Sequence, residues 1–540
     1  MNDKINRRSF VSGAALGAGG ILGGALNKAM AANAAANAKD SSAQGPVANT
    51  TSGKIRGMVQ ENKVNAFRGI PYGAPTGGAN RFLPPVKPEA WTGIKDTVEW
   101  GPEAPQGPHT EIPEVAATIP KLAISEDCLH LNVWTNGLDG RKRPVMVWLH
   151  GGGFASGNGS YSMYDGANLA RKQDVVTVTI NHRLNSFGFL YLAGIGGEKF
   201  ANASNCGILD AVAALEWVRD NIANFGGDPG NVTIFGQSGG AGKVSTLLAM
   251  PAAKGLFHRA IIQSGANLKG LSTQDATKTA HMLMDKLGVK TAEELQQVPM
   301  DQLIAATLSA RGMQLAPVVD GKTLPGGPFD PTAPALSAGV PLLIGSTEFE
   351  VNFFPATRLD PIDDTELHAA VKQATRAGDA EVDKLIAVYR KGRPNASDID
   401  LSQIIASDGF RTGVMTEAER KAAQPAPVYV YYFTWKTPVH DGELKAFHTL
   451  EIPFALANVD EAQSMTGSNA DRYPLQEKMS GAWAAFARTG DPNHKGLPHW
   501  PAFKMDGRAT MVFDNQCKVV NDPHREERLA LAALRAGAQA

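Results

Sequence analysis

Short apolar runs at residues 144–149 and 175–180 constrain this chain more than any other feature. Both are almost unbroken and end in turn residues, as expected of strands that are covered on both faces of a sheet. A third strand-like segment at 232–235 leads directly into a helical pattern at 241–250, and another helical pattern occupies 208–221. Alternating strands and helices predict an α/β fold with a large, mostly parallel central sheet flanked by helices.

Further segments extend this sheet or interrupt it. Strands are predicted at residues 129–135, 259–263, 341–345 and 427–433, and a short hairpin is predicted from 53–59 and 63–67. Residues 272–313 and 364–390 have helical patterns and are interpreted as helical insertions. Because no repeat or low-complexity linker follows residue 50, we predict that residues 39–540 form a single domain.

The first residues differ in composition from the rest of the chain. Arg7 and Arg8 precede a stretch rich in glycine and alanine that ends near Leu26 and is followed by several Ala-x-Ala sites. This order is typical of a twin-arginine export signal, and the apolar stretch is shorter than the roughly 20 residues of a spanning helix. Residues 1–38 are therefore predicted to be a signal peptide and tether, and the mature protein to be periplasmic or secreted, without a membrane anchor.

Charge and metal-ligating residues narrow the class of partner. The chain has 52 Lys and Arg against 53 Asp and Glu, so nothing indicates a nucleic-acid surface, and a small molecule is the expected partner. The three cysteines, Cys128, Cys206 and Cys517, are an odd number with no zinc-like spacing, and no His-Glu-x-x-His pair occurs. Neither a metal nor another cofactor is predicted.

A Gly-Gln-Ser-Gly-Gly segment at residues 236–240 lies between a predicted strand and a predicted helix. Small neighbours allow a sharp turn that carries Ser238 at its tip, and the following helix N-terminus favours developing negative charge. This context predicts a nucleophile elbow, whereas the alternative is a tight glycine turn with an incidental serine.

A second glycine segment, His-Gly-Gly-Gly-Phe at residues 150–154, follows the buried run at 144–149. Backbone N–H groups of such a segment can point at an oxyanion with no side chain in the way. It is the predicted oxyanion hole, and the alternative is an ordinary strand-to-loop turn.

Several separate segments together resemble the type-B carboxylesterases, the family that also contains the cholinesterases. They run in the family's order and cover residues 67–72, 126–132, 150–154, 181–184, 236–240, 263–265, 317–321 and 487–490. The resemblance implies a single α/β-hydrolase domain and a cofactor-free acyl-enzyme mechanism on an ester substrate. It also implies an oxyanion hole from the N–H groups of Gly152, Gly153 and Gly239, the last at a position where relatives usually carry alanine.

The resemblance also assigns the other two members of a catalytic triad. A glutamate is expected five residues after the strand-ending Gly345, which is Glu350, and Glu348 competes with it. The segment 447–454 resembles the family's histidine loop and makes His448 the expected base, with His440 as its nearest rival. The chain order of serine, acid and histidine is that of α/β-hydrolases.

Other expectations by resemblance concern supporting residues. Ser264 supports the triad or has a structural role, and Gln237 stands where relatives carry glutamate. Two structural ion pairs are expected, Arg68 with Glu126 and Arg183 with Asp210. Cys128 is expected to be an unpaired, packed thiol.

The alternative to an enzyme is a cholinesterase-like binding or adhesion protein that has lost catalytic residues, although all three triad positions are filled here. A cysteine nucleophile at Cys206 is weaker because no elbow surrounds it. Phe154, Phe353 and Phe354 either line an apolar pocket or belong to the core. The sequence determines neither the ester that is cleaved nor the oligomeric state.

Overall fold

The computed structural model describes residues 45–109 and 111–537. The described residues from Pro46 onward form one compact unit. The predicted signal peptide and tether lie outside the described residues, so the export signal and the predicted domain boundary stay predictions.

An eleven-stranded sheet organises the described chain, and a separate three-stranded sheet lies near its start. In chain order the strands are β1 (Val47–Thr50), β2 (Gly53–Arg56), β3 (Met58–Val59), β4 (Asn65–Pro71), β5 (Ile94–Asp96), β6 (His130–Thr135), β7 (Arg143–Leu149), β8 (Val176–Ile180), β9 (Gly227–Gln237), β10 (Arg259–Gln263), β11 (Leu342–Thr347), β12 (Val428–Phe433), β13 (Ala509–Phe513) and β14 (Lys518–Asn521). The large sheet has the order β14-β13-β12-β11-β10-β9-β7-β8-β6-β4-β3. Strands from β13 to β8 in that order are parallel, and the outer strands pair antiparallel.

Helices connect these strands and form the insertions. The α-helices are Pro113–Ala116, Ala167–Gln173, Asn185–Phe189, Ala193–Gly196, Cys206–Asn221, Gly239–Ala249, Thr273–Leu287, Ala292–Gln297, Met300–Ser309, Asp364–Thr375, Asp379–Gly392, Asp398–Ala422, Ile452–Ala455, Gln463–Thr466, Arg472–Thr489 and Arg525–Gly537. Single turns of 3₁₀ helix occur at Gly78–Asn80, Ser162–Tyr164, Gly197–Phe200, Ala203–Asn205, Ile222–Phe225, Pro251–Ala253, Ala335–Ser337, Glu350–Phe353 and Val439–Gly442. Within the described ranges, no helix is both long and apolar enough to cross a membrane.

The central strands are apolar on both faces because the sheet has a core on each side. In β7, Val145 and Val147 pack into one hydrophobic cluster, whereas Met146 and Trp148 between them pack into another. Successive side chains of a strand point to opposite faces, so an unbroken apolar run is what a doubly covered strand requires. The predicted α/β fold with a mostly parallel sheet is therefore confirmed.

Two sequence expectations change at the edges of the fold. The predicted hairpin is only partly correct, because β3 pairs with β4 while β2 joins the small sheet with β1 and β5. The strand β13 and the long helix Arg472–Thr489 were not predicted. That helix mixes polar and buried positions without a clean apolar stripe, so its periodicity is weak.

Candidate active site

The parallel strands bring the predicted site residues to one edge of the sheet. Ser238 follows β9, the glycine segment follows the neighbouring β7, and Glu350 follows β11, which is separated from β9 only by β10. The carboxyl ends of parallel strands meet at the same edge, where α/β proteins form their sites. The loop that contains His448 follows β12, the next strand beyond β11.

Ser238 occupies a strained turn between β9 and the helix Gly239–Ala249. Its φ of 56° and ψ of −124° lie in a region that residues with a side chain rarely adopt. Its N–H donates to the Gln263 carbonyl at 2.8 Å, and its carbonyl accepts from the Gly242 N–H at 3.0 Å. The turn is thus held by the adjacent strand and by the first helical turn, and the half-buried serine projects at the sheet edge.

The glycine segment turns back towards this elbow directly after β7. Gly152 has a φ of 85° and Gly153 a φ of 62°, both in the left-handed region that glycine adopts without strain. Among the described residues, no protein acceptor binds the backbone N–H of Gly152, Gly153 or Gly239. These three donors are available to a ligand beside Ser238.

The elbow and the glycine segment are in very close contact. A Cβ added to Gly239 would lie 2.0 Å from the Gly153 carbonyl oxygen, well inside van der Waals contact. Glycine at position 239 therefore allows the two segments to approach more closely than an alanine would in this conformation.

His448 and Glu350 form a buried pair although they are 98 residues apart. The Nδ1 atom of His448 is hydrogen-bonded to Oε2 of Glu350, and the side chains are 2% and 0% exposed. Glu350 Oε1 also accepts from the Thr347 N–H at 2.8 Å. A backbone bridge between Phe349 and Phe447 joins the two loops and so fixes the carboxylate against the ring.

The rival residues are engaged elsewhere. Glu348 forms an ion pair with Arg393, with 2.6 Å between Oε1 and Nη1. His440, which is largely exposed, is hydrogen-bonded to Glu114. The structure therefore brings His448 and Glu350 together and places Glu348 and His440 away from that pair.

Gln237 connects His448 to the elbow. Its Nε2 lies 3.1 Å from Nε2 of His448, and its side chain is buried. With the Nδ1 proton donated to Glu350, the ring presents the Nε2 lone pair, which accepts from the Gln237 amide. This is the tautomer that a general base on the serine side needs. The sequence showed Gln237 as a departure from the family but gave no sign of this contact.

A second buried carboxyl group, that of Glu451, lies behind the pair. Burial, and then the nearby Glu350 carboxylate, raise the pKa of Glu451 to about 7. Its Oε1 accepts from Gln263 Nε2 at 3.3 Å. The histidine side of the site thus holds two carboxyl groups, and a negative charge on one disfavours a negative charge on the other.

Three phenylalanine rings surround His448. The ring centres of Phe353, Phe410 and Phe354 lie 5.3, 5.7 and 6.3 Å from that of His448. Phe354 is 40% exposed, so this aromatic surface is open to solvent. Phe410 comes from the helix Asp398–Ala422, which the sequence did not predict, whereas Phe154 packs on Phe189 near the glycine segment.

The remaining sequence candidates are the cysteines and Ser264. All three cysteines are free, and burial raises the pKa of the Cys206 thiol to about 12, which disfavours the thiolate that a nucleophile needs. Ser264 Oγ is buried and has no hydrogen-bond partner among the described residues. In the same ranges, no group of three or more His, Cys, Asp or Glu side chains is placed to hold a metal ion.

One expected ion pair is confirmed and the other is wrong. Arg183 and Asp210 form a buried pair, with 2.6 Å between Nη2 and Oδ1. Arg68 instead lies near Asp165 at 3.4 Å, and Glu126 pairs with Arg81. The reason is the proline-rich loop at residues 69–88, which folds back so that Thr76 donates to the Glu126 carbonyl and Arg81 reaches the carboxylate.

A mostly parallel sheet that presents a serine on a strained strand-to-helix turn defines the α/β-hydrolase fold. The model of the carboxylesterase family matches residues 44–532, so the chain belongs to the carboxylesterase family and is a carboxylic ester hydrolase. The resemblance seen in the sequence is confirmed.

Individual relatives support the same conclusion. Para-nitrobenzyl esterase of Bacillus subtilis (strain 168) is 36% identical over 90% of this chain and 98% of its own. Phenmedipham hydrolase of Pseudarthrobacter oxydans is 33% identical over 91% of this chain and 99% of its own. A crystal structure of a Geobacillus stearothermophilus carboxylesterase superposes with a TM-score of 0.76 at 39% identity, covering 90% of this chain and 99% of that one.

Proposed function

We propose that the protein cleaves carboxylic esters through an acyl-enzyme on Ser238, with His448 as general base and acid and Glu350 as the residue that orients His448. The observation that carries this proposal is the contact between the Glu350 carboxylate and His448 Nδ1. With that contact made, the other ring nitrogen faces Gln237, the residue that precedes Ser238.

In the first half of the reaction, Ser238 Oγ attacks the ester carbonyl carbon while His448 Nε2 takes the hydroxyl proton. The N–H groups of Gly152, Gly153 and Gly239 donate to the oxyanion, each contributing about 3 kcal/mol by analogy with single-donor deletions. His448 then protonates the leaving alcohol oxygen as the C–O bond breaks. In the second half, water attacks the acyl-enzyme along the same path, and Ser238 recovers its proton.

The aromatic surface indicates which esters fit. His448 protonates the alcohol oxygen, so the alcohol part of the ester lies beside the rings of Phe353, Phe354 and Phe410. Apolar and aromatic groups are favoured on such a surface. Esters of aryl or arylmethyl alcohols are the proposed substrates, and the similarity to a para-nitrobenzyl esterase supports this choice.

The test compares purified wild type with Ser238→Ala in p-nitrophenyl acetate and butyrate hydrolysis, with a fluorophosphonate label located by mass spectrometry. We expect activity and label on Ser238 in the wild type and neither in the variant. A folded wild type that hydrolyses neither ester and takes no label would favour a binding protein instead.

We also propose that the mature protein is exported through the twin-arginine signal. The protein isolated from the periplasm or medium should lack Arg7 and Arg8 when its N-terminus is determined by mass spectrometry. Replacing both by lysine should keep the full-length chain in the cytoplasm. Unchanged export of that variant would contradict the proposal.

A further inference from the structure

Lys243 is a buried lysine for which the proposed mechanism has no role. It lies in the helix Gly239–Ala249, which begins directly after Ser238 and otherwise consists of small, apolar and hydroxyl residues. Its side chain is completely shielded from solvent. A single charge in such a helix is the sequence signal that could have identified it.

The amine of Lys243 bridges two carbonyl groups of the glycine segment. Nζ donates to the carbonyl oxygens of His150 and Gly153, both at 3.0 Å, and lies over the Phe154 ring at 5.6 Å from its centre. The two carbonyls lie on either side of the Gly152 peptide. One side chain from the helix behind the nucleophile therefore fixes the segment that carries two of the three proposed oxyanion donors.

The Gly153 carbonyl is held from a second direction. It packs against Gly239, where an added Cβ would lie 2.0 Å from the oxygen. The same carbonyl thus contacts the first residue of the helix and the lysine one turn later. These contacts restrict a run of glycines that has little conformational preference of its own.

Burying this amine is energetically unfavourable. Burial lowers the pKa of Lys243 to about 7. Burial holds the pKa values of His150 and His182 well below normal, and the nearby Lys243 amine is the second-largest cause of that lowering. A methionine or leucine would fill the same space without desolvating a charge, so the presence of a lysine here indicates a role beyond packing.

We propose that Lys243 is a positioning residue that holds residues 150–153 against the helix behind Ser238, so that the N–H groups of Gly152 and Gly153 face the oxyanion. This inference rests on the proposed function of the glycine segment. Preorganised donors stabilise the transition state more than the bound ester, because the full oxyanion exists only there. Loss of the bridge should therefore lower kcat and leave KM almost unchanged.

The test uses Lys243→Met, which keeps the length of the side chain but donates no hydrogen bond, and Lys243→Gln, which keeps a donor for one carbonyl. The matched control is Lys421→Met. Lys421 is also buried and donates to two carbonyls, those of Ser337 and Ala338, but these precede β11, at the end of that strand opposite Glu350.

For Lys243→Met we expect kcat/KM to fall about 100-fold with KM changed less than about twofold, as for loss of an oxyanion donor. Affinity for a trifluoromethyl ketone, whose adduct places an oxyanion at the same position, should fall in proportion. Lys243→Gln should recover part of both losses, and Lys421→Met should keep kcat/KM within about twofold of the wild type. If Lys243→Met does not fold, Lys243→Gln alone carries the comparison.

A folded Lys243→Met or Lys243→Gln with wild-type kcat/KM, or a loss confined to KM, would overturn the inference. If Ser238→Ala is inactive while Lys243→Met is fully active, only the role of Lys243 fails. If Ser238→Ala keeps its activity, the proposed function fails instead.

Discussion

The site has two sides that use different chemical groups. On the elbow side, the groups proposed to bind the oxyanion are the backbone N–H groups of Gly152, Gly153 and Gly239. On the histidine side, the groups proposed to act are the side chains of His448 and Glu350. The elbow side consists of adjacent segments after two neighbouring strands, β7 and β9. The histidine side joins loops 98 residues apart through a buried ring and carboxylate. The elbow side should therefore be sensitive to added atoms and the histidine side to changes of charge.

The largest effect is expected from removing charge on the histidine side. In Glu350→Gln an amide replaces the carboxylate at His448 Nδ1, and its N–H donors favour the tautomer with the proton on Nε2. The ring then cannot accept the Ser238 proton, so kcat should fall by about 10³- to 10⁴-fold with little change in KM. Steady-state kinetics with p-nitrophenyl butyrate measure both.

Glu348→Gln is the matched control for that variant. It weakens the ion pair with Arg393 and should lower the free energy of unfolding by about 1–3 kcal/mol while kcat stays near wild type. Equal losses of kcat in the two variants would show that the pairing of Glu350 with His448 is not what matters.

On the elbow side a single methyl group should matter. In Gly239→Ala the new Cβ would lie 2.0 Å from the Gly153 carbonyl oxygen, so the glycine segment must move. Its N–H groups then no longer point at the oxyanion. We expect kcat/KM to fall about 100-fold.

Gly242→Ala is the matched control in the same helix. There the nearest atom to an added Cβ is Cζ of Phe154, at 3.4 Å. It should keep its activity and raise the free energy of unfolding by up to about 1 kcal/mol, since alanine is the better helix former. Full activity of Gly239→Ala would show that the two segments separate without consequence.

A smaller effect is expected where the two sides meet. Gln237→Glu replaces the amide that lies 3.1 Å from His448 Nε2 with a carboxylate, which stabilises the protonated ring. The acid limb of the kcat/KM profile should move to higher pH by about one to two units. The plateau above that limb serves as the internal reference, and an unmoved limb would mean that the side chain at 237 does not face the ring during turnover.

The last effect, also on the histidine side, concerns stability rather than activity. Because the pKa of Glu451 is raised to about 7 in the folded protein, the folded state keeps a proton that the unfolded state loses near pH 4.5. Stability from this group is present below pH 4.5 and is lost as pH rises to about 7, with a slope of up to about 1.4 kcal/mol per pH unit.

Glu451→Gln removes that titration. Urea denaturation across pH measures the free energy of unfolding of both proteins. The wild-type value minus the Glu451→Gln value should fall between pH 4.5 and 7 and be constant above pH 7. A difference that does not change over this range would show that Glu451 is not protonated in the folded protein.

The two sides also differ in how well the sequence predicts them. The elbow at Ser238 and the glycine segment 150–154 are local patterns whose glycines and flanking strands can be read directly. The individual donors Gly152, Gly153 and Gly239 were named only through the family resemblance. Glu350 and His448 were assigned only through resemblance to a family, because nothing local distinguishes one glutamate or histidine from its neighbours. The structure separates them from Glu348 and His440 by their partners.

Several contacts between distant segments escaped sequence reasoning. The ion pair expected between Arg68 and Glu126 is wrong because a loop fold brings Arg81 to the carboxylate. The contact of Gln237 with His448 and the bridge from Lys243 depend on loops that only the packed sheet edge brings together.

The sequence by itself determined the α/β fold, the parallel central strands, the elbow and the family, because each follows from periodicity or from short segments in a fixed order. Only the tertiary structure decided which acid meets His448, what covers its ring and what holds the glycine segment. Those are choices among chemically similar side chains, and they depend on distance across the fold, which no local pattern encodes.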